Sequence, residues 1–322
     1  MILAILDHHH GAIQSASLEM LTAARGLAET LGIELEAVAI GEGAEACVET
    51  AVSYGASTVH LIEHDQLDRY APEAWARSVA QLSEDSSPEA ILGVGTERGN
   101  EVMAHLAAVM DAPLAANCME ITPGDETYFV TRVRWGGSLL EEANLSGDPK
   151  LLTVAAHVLS AAPADSPPAA NTSIFSPELD EKAFRVRVKE LVKPETDKVS
   201  LTDAKIIIGG GRGVGSSEGF EPLEELAALT GGAIGCSRAV TNHGWRPHAD
   251  QIGQTGGRVA PDLYIACGIS GAIQHMAGCK GSKVILAINT DPDASILGKA
   301  NYAVIGDLHE VIPAISEALR NS

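Results

Sequence analysis

From the first residue to about residue 112, short apolar runs alternate with segments in which apolar positions recur every three or four residues. Residues 2–6, 35–40, 58–62 and 90–94 are continuous apolar runs of strand length, and residues 16–31, 45–53, 73–82 and 100–110 have the helical period. This alternation predicts a parallel sheet with right-handed crossovers. The pattern then changes. Residues 117–122, 128–134 and 138–145, separated by Pro123-Gly124-Asp125 and by Gly136-Gly137, predict antiparallel strands ahead of a last apolar run at 151–158.

Residues 160–177 contain Pro163, Pro167, Pro168 and Pro177 among Ala and Ser, the composition of a linker. The alternation Phe184-Arg185-Val186-Arg187-Val188 predicts one more strand attached to the first domain, with a boundary near residues 194–200. Strand and helix patterns then resume: strands at 205–208, 233–236, 263–267, 284–288 and 302–305, helices at 222–229, 272–279 and 310–319. The expected fold is α/β, with two parallel-sheet domains in series, 1–195 and 196–322, the second doubly wound.

Composition narrows the partners. Hydrophobic residues make up 45% of the 322 and aromatics only 4%, as expected where small and branched side chains fill the space between sheets and helices. The formal charge is −21. Residues 1–199 hold 13 basic and 31 acidic groups, whereas residues 200–322 hold 9 and 12. Such an acidic first part disfavours nucleic acid and anionic membranes as partners; it is either a solubilising surface, as in a salty cytoplasm, or a face that steers a basic protein. Cys47, Cys118, Cys236, Cys267 and Cys279 form no C-x-x-C pair and sit in or near apolar runs, so they are expected in the core. No segment stays apolar for the roughly 18 residues of a membrane span, and a soluble cytoplasmic protein is expected.

The chemistry concentrates in the loops leaving the strands of the second domain. Gly209-Gly210-Gly211-Arg212-Gly213-Val214-Gly215-Ser216 approximates a dinucleotide fingerprint, or is simply a glycine-rich turn; Arg212 suits an anion or a ring face. Ser237-Arg238 opens a long loop in which the guanidinium either makes a surface ion pair or stabilises negative charge on a bound ring system. Gly253-Gln254-Thr255-Gly256 offers close backbone approach and a hydroxyl. Ser270-Gly271-Ala272-Ile273-Gln274-His275 has the form of a helix amino terminus suited to a pyrophosphate, with His275 either a packing residue or a donor to a flavin carbonyl. Asn289 and Asp307 end neighbouring strands and suit an adenosine; Asp307 could instead cap the last helix. Together these turns point to a flavin dinucleotide. His8-His9-His10 lies in a loop without an evident fourth metal ligand. The chain has no G-x-x-x-x-G-K-[ST], G-x-S-x-G or H-E-x-x-H.

Gly210 to Gly213, Cys236-Ser237-Arg238, residues 251–256, 259–266, 268–275 and 287–292, and Gly306-Asp307-Leu308 resemble the electron-transfer flavoprotein alpha subunit. A looser likeness runs through residues 1–160 and includes residues 18–25. The resemblance implies a heterodimer in which the first alpha domain and a beta subunit form a base and the second alpha domain carries FAD and swivels near residues 194–200. It implies FAD contacts from Arg212, Ser237, Arg238, Ile252, Gly253, Gln254, Thr255, Ser270, Gly271, Ala272, Ile273, Gln274, His275, Asn289, Asp307 and Leu308. Of these, Arg238, Ser237, Thr255 and His275 would surround the isoalloxazine, and Asn289 and Asp307 would meet the adenosine. The implied role is electron carriage from flavin dehydrogenases to a quinone oxidoreductase or other acceptor. An NADH-linked bifurcating complex, with a second flavin in the partner, stays open. A nucleotide-binding regulatory module on the first domain is disfavoured, because Asp7-His8-His9-His10-Gly11 is no phosphate-gripping Ser/Gly loop. The chain departs from the family pattern at Asn242-His243-Gly244-Trp245, where many relatives have an acidic residue.

Overall fold

The computed structural model describes residues 1–135, 139–190, 200–201 and 204–321. The chain divides into two compact units, Met1–Val192 and Lys193–Ser322. The expected boundary at 195/196, the pivot near 194–200 and the turn Gly136-Gly137 lie outside the described residues, apart from Ser200.

The first unit runs β1 (Ile2–Ile5), β2 (His8–His9), β3 (Ala12–Ile13), α1 (Ser15–Leu31), β4 (Leu35–Ile40), α2 (Val48–Ser53), β5 (Thr58–Ile62), α3 (Pro72–Ser86), β6 (Ala90–Val94), α4 (Glu97–Met110), β7 (Leu114–Pro123), β8 (Tyr128–Arg134), β9 (Leu139–Leu145), β10 (Lys150–Val154) and β11 (Thr172–Phe175). Among the described residues its main sheet has the order β11-β5-β4-β1-β6-β10-β7-β8-β9. Pairing is parallel from β11 to β7, and β7, β8 and β9 form an antiparallel ribbon. Along β1, Ile2 and Ala4 join the core formed with α1 and α2, and Leu3 and Ile5 join the core formed with α3 and α4. Helices therefore cover both faces, which is why the inner strands read as unbroken apolar runs.

Two expectations are corrected here. Phe184 to Val188 is not a strand: residues 181–184 form a 3-10 turn capped by Asp180, whose Oδ1 accepts from Ala183 N at 3.2 Å. Phe184 and Ala183 are buried against α3, Val186 is exposed, and the Val188 N–H donates to the Tyr70 carbonyl at 2.8 Å. The alternation reflects docking on a helix without a strand to pair with. The proline-rich stretch 160–177 is no linker between units either. Its proline-free run Thr172–Phe175 pairs in parallel with β5 and closes the sheet edge, where missing N–H groups at the flanking prolines cost no ladder bonds.

The second unit runs β12 (Ile206–Gly210), α5 (Glu221–Thr230), β13 (Ala233–Cys236), α6 (Arg238–Asn242), β14 (Leu263–Cys267), α7 (Ile273–Cys279), β15 (Val284–Asn289), β16 (Tyr302–Ile305) and α8 (Leu308–Arg320). Its sheet is parallel throughout, in the order β13-β12-β14-β15-β16. One face packs on α5 and α8, the other on α7 and the Ile252 loop. This is the expected doubly wound arrangement. The chain moves outward from β12 first to β13 and then to β14, so the strand order reverses between β12 and β14.

Candidate functional site

At that reversal point two glycine turns touch. The Gly211 N–H donates to the Cys267 carbonyl at 2.8 Å and the Gly213 N–H to the Gly268 carbonyl at 3.0 Å. A Cβ on Gly211 would fall 2.2 Å from the Gly268 oxygen, and one on Gly213 2.7 Å from Gly268 Cα. Turn-on-turn contact thus requires these glycines. Arg212 is exposed between them and has no ion-pair partner among the described residues.

The loop after β13 builds a second wall. Ser237 precedes α6, and its N–H donates to the Gly210 carbonyl at 3.0 Å. Arg238 follows, exposed at the cleft and, among the described residues, without the ion pair that would mark it as an ordinary surface charge. Farther along, Arg246 bonds Glu224 and Asp250 and lies over the Phe220 ring, fastening the loop's far end to the unit. Gln251 is buried; its Oε1 accepts from the Thr241 hydroxyl at 2.7 Å and its Nε2 donates to Thr255 Oγ1 at 3.0 Å. The Thr255 oxygen is therefore used as an acceptor, which leaves its hydroxyl hydrogen free for whatever enters the cleft.

The Gly253–Gly256 turn and the segment that begins at Ser270 are in contact. The Gln254 N–H donates to the Gln274 carbonyl at 2.7 Å, and a Cβ on Gly278 would fall 2.3 Å from Gly253 N, so the turn at 253–257 lies flat on α7. The approach to α7 is pinned from the loop after β15. The Ser270 carbonyl accepts from Ile296 N (3.1 Å) and Ser295 Oγ (3.0 Å), and the Gly271 carbonyl from Ser295 Oγ (2.8 Å) and Lys299 Nζ (3.0 Å). At the end of β15, the Asn289 amide donates to the Ile269 carbonyl at 2.9 Å while its oxygen accepts from Asp291 N.

His275 is 6% exposed, and its Nε2 lies 2.8 Å from the Tyr264 hydroxyl. The Ile252 carbonyl lies near the ring, yet Nδ1 makes no hydrogen bond among the described residues. Burial pulls its pKa down to about 4 against the opposing effect of the Ile252 carbonyl, so the ring is neutral at physiological pH.

These parts enclose a cleft of about 530 Å³, within the range of small-molecule sites. Of the residues expected from the sequence, Arg212, Ser237, Arg238, Ile252, Gly253, Gln254, Thr255, Ser270, Ala272, Gln274, His275 and Asn289 line it. Four do not. Gly271 is turned into the contact with Ile296, and Ile273 projects outward, 67% exposed. Asp307 caps α8, its Oδ1 accepting from His309 N at 2.9 Å, and Leu308 is buried in the core under Gly268. Gly213, Ala239, Gln251, Gly268, Ile269, Asp291 and Ala294 line the cleft without having been among the expected cofactor contacts. Asp291 and Ala294 follow β15, so applying the strand-end rule to that entire loop finds them.

Other candidates close down. In the first unit the order reverses between β1 and β6, but Arg98 fills that crevice: it pairs with Asp7 at 3.2 Å and stacks on Tyr70 and Trp75, leaving about 20 Å³. His8 is buried, bonding the Ile40 carbonyl and Gly11 N, and no metal-holding cluster occurs among the described residues. All five cysteines are buried and free, and burial pushes Cys236, Cys267 and Cys279 up to about 12. Among the described residues no helix is long and apolar enough to cross a membrane.

Comparison with known proteins matches both units. Residues 2–179 match the electron transfer flavoprotein domain, and residues 200–280 match the electron transfer flavoprotein FAD-binding domain. The electron transfer flavoprotein subunit alpha of Thermoanaerobacterium thermosaccharolyticum is 35% identical over 316 residues, 98% of this chain and 96% of that protein. The Bacillus subtilis subunit alpha is 35% identical over 323 residues, 99% and 97% of the two chains. Protein FixB of Clostridium saccharobutylicum is 36% identical over 316 residues, 96% and 93%.

Proposed function

The chain belongs to the electron transfer flavoprotein alpha-subunit family, and on that premise we propose that it pairs with a beta subunit and carries electrons on FAD from flavin dehydrogenases to a quinone oxidoreductase or other acceptor. FAD is the cofactor of the domain matched by residues 200–280. Bound there, it supplies the one- and two-electron chemistry that amino-acid side chains lack. The protein's own work is to hold, orient and polarise.

The observation that supports this reading best is the supply of donors around one cleft that have no partner among the described residues: the Arg212 and Arg238 guanidinium groups without ion pairs, the Thr255 hydroxyl hydrogen and the buried Nδ1 of His275. A cofactor rich in acceptors and carrying phosphates and developing negative charge fits that set. Ser237, Arg238, Thr255 and His275 would face the isoalloxazine. Residues 252–254, Ser270, Ala272, Gln274 and Arg212 would hold the chain between the rings. Gly271 and Ile273 would act through the turn they shape, and Asn289, with the carboxylate oxygen of Asp307 not engaged by His309, would receive the adenosine. For the beta subunit, the antiparallel ribbon offers Trp135, Leu139 and Leu140, 76%, 55% and 65% exposed, a density of apolar surface typical of interaction faces.

Replacing Arg238 by Ala removes the positive charge beside the expected ring and should lower the flavin reduction potential by about 60 mV or more, a tenfold effect for one electron. Spectroelectrochemistry on the complex reads this. A potential indistinguishable from wild type overturns the role given to Arg238.

A further inference from the structure

The Tyr264–His275 pair is unexplained by cofactor contact alone. Tyr264 is wholly buried on β14, in a core made with Ile207, Ala266, Met276 and Cys279, and its hydroxyl meets His275 Nε2 at 2.8 Å. The hydroxyl occupies space that only glycine leaves on the neighbouring strand: a Cβ on Gly209 would fall 2.1 Å from it. A buried hydroxyl hydrogen needs an acceptor, and in these apolar surroundings the imidazole nitrogen provides it.

We propose that Tyr264 is a positioning residue that fixes the tautomer of His275: its hydroxyl donates to Nε2, so the single ring proton resides on Nδ1 and is offered as an N–H donor to an acceptor atom of the bound cofactor. The assignment rests on the FAD reading for its purpose, though not for its geometry. With Nε2 used as an acceptor, a neutral imidazole must carry its proton on Nδ1. That nitrogen is buried and makes no hydrogen bond among the described residues, on a residue that lines the cleft, and the nearby Ile252 carbonyl, an acceptor, favours the same proton position. The opposite tautomer would cost twice. It would leave the Tyr264 hydrogen without an acceptor and turn an unpaired lone pair towards a cofactor whose carbonyl oxygens are themselves acceptors. The depressed pKa of His275 and the raised pKa of the buried Tyr264 hydroxyl keep each group in the neutral form this arrangement needs. Thr255 is arranged in the same way by Gln251, which donates to its oxygen and frees its hydrogen. A second layer thus sets the polarity of the first at two places.

The test uses the full chain labelled with 15N-histidine and long-range 1H–15N NMR, which distinguishes the two tautomers directly. Expected are an Nδ1–H tautomer for His275 in the wild type without cofactor, and a shift towards Nε2–H in Tyr264→Phe. FAD titration of the complex with the beta subunit should then show Tyr264→Phe binding between about two- and tenfold more weakly, the worth of one hydrogen bond. A wild-type proton on Nε2 overturns the assignment, as does a Tyr264→Phe protein whose tautomer is unchanged. Should that variant fail to fold, the wild-type spectrum alone decides. A chain with Nδ1–H that takes up no FAD overturns the proposed function and not the tautomer; a chain that binds FAD with Nε2–H overturns the tautomer and not the function.

Discussion

Gly271 tests whether the cleft is a preformed cradle. Its φ is +82°, and a Cβ there would fall 2.4 Å from Ile296 N and 2.6 Å from Ile296 Cα. In Gly271→Ala the left-handed backbone costs about 1–2 kcal/mol. Restoring ordinary contact requires the two segments to part by about 1 Å, enough to break the 3.1 Å bond from Ile296 N to the Ser270 carbonyl and to stretch those from Ser295 and Lys299 to the Gly271 carbonyl. Losing one or two of them costs about 0.5–1.5 kcal/mol each, so a destabilisation of about 2–4 kcal/mol is expected. Gly298 is the control: its backbone is not left-handed and nothing lies within 4 Å of its would-be Cβ. Urea unfolding, with hydrogen exchange read on peptides spanning 268–299, measures the local effect, and FAD titration measures the functional one. Gly271→Ala should exchange faster across that segment and bind FAD more than about tenfold more weakly, while Gly298→Ala changes little. Equal behaviour of the two variants would refute the argument.

Three further outcomes are expected. Because His275 is held near 4 when folded and returns to 6.5 when unfolded, the unfolded chain takes up the proton first; stability is intact above pH 6.5 and falls between 6.5 and 4 by on the order of 3 kcal/mol. Urea midpoints of the wild type and His275→Gln across that window check this, and parallel curves would contradict it. Arg246→Ala strands Glu224 and Asp250 and uncovers Phe220; since Glu224 is partly exposed, a loss of about 1–3 kcal/mol is expected in thermal unfolding. Serine at both Trp135 and Leu140 should weaken association with the beta subunit at least about tenfold by sedimentation; unaltered association would place the partner elsewhere.

The legible part of the sequence was the part governed by period and turn chemistry. Buried strands such as Leu263–Cys267 announce themselves as apolar runs, and the strand-end rule then led to Arg238, Thr255 and His275, which the fold brings to one cleft. What escaped depended on partners distant in sequence. Thr172–Phe175 becomes a strand only because β5 has an open edge, and its prolines disguised it. Phe184 alternates like a strand residue but is recruited by α3. Gly271 reads as a turn glycine, but the close approach of Ile296, 25 residues on, is what requires it. Tyr264 and Gln251 read as core and loop; their function as hydrogen-bond setters depends on which atoms face them across the fold.

The central claim is that the cleft between β12 and β14 grips FAD through donors that have no internal partner among the described residues. FAD titrated into the complex with the beta subunit, followed by flavin fluorescence and absorption, tests it most directly. The account predicts saturable binding of a single FAD in this cleft, severely weakened in the double variant Arg238→Ala, Thr255→Ala. A complex that binds no FAD, or binds it equally well without those two side chains, would contradict it.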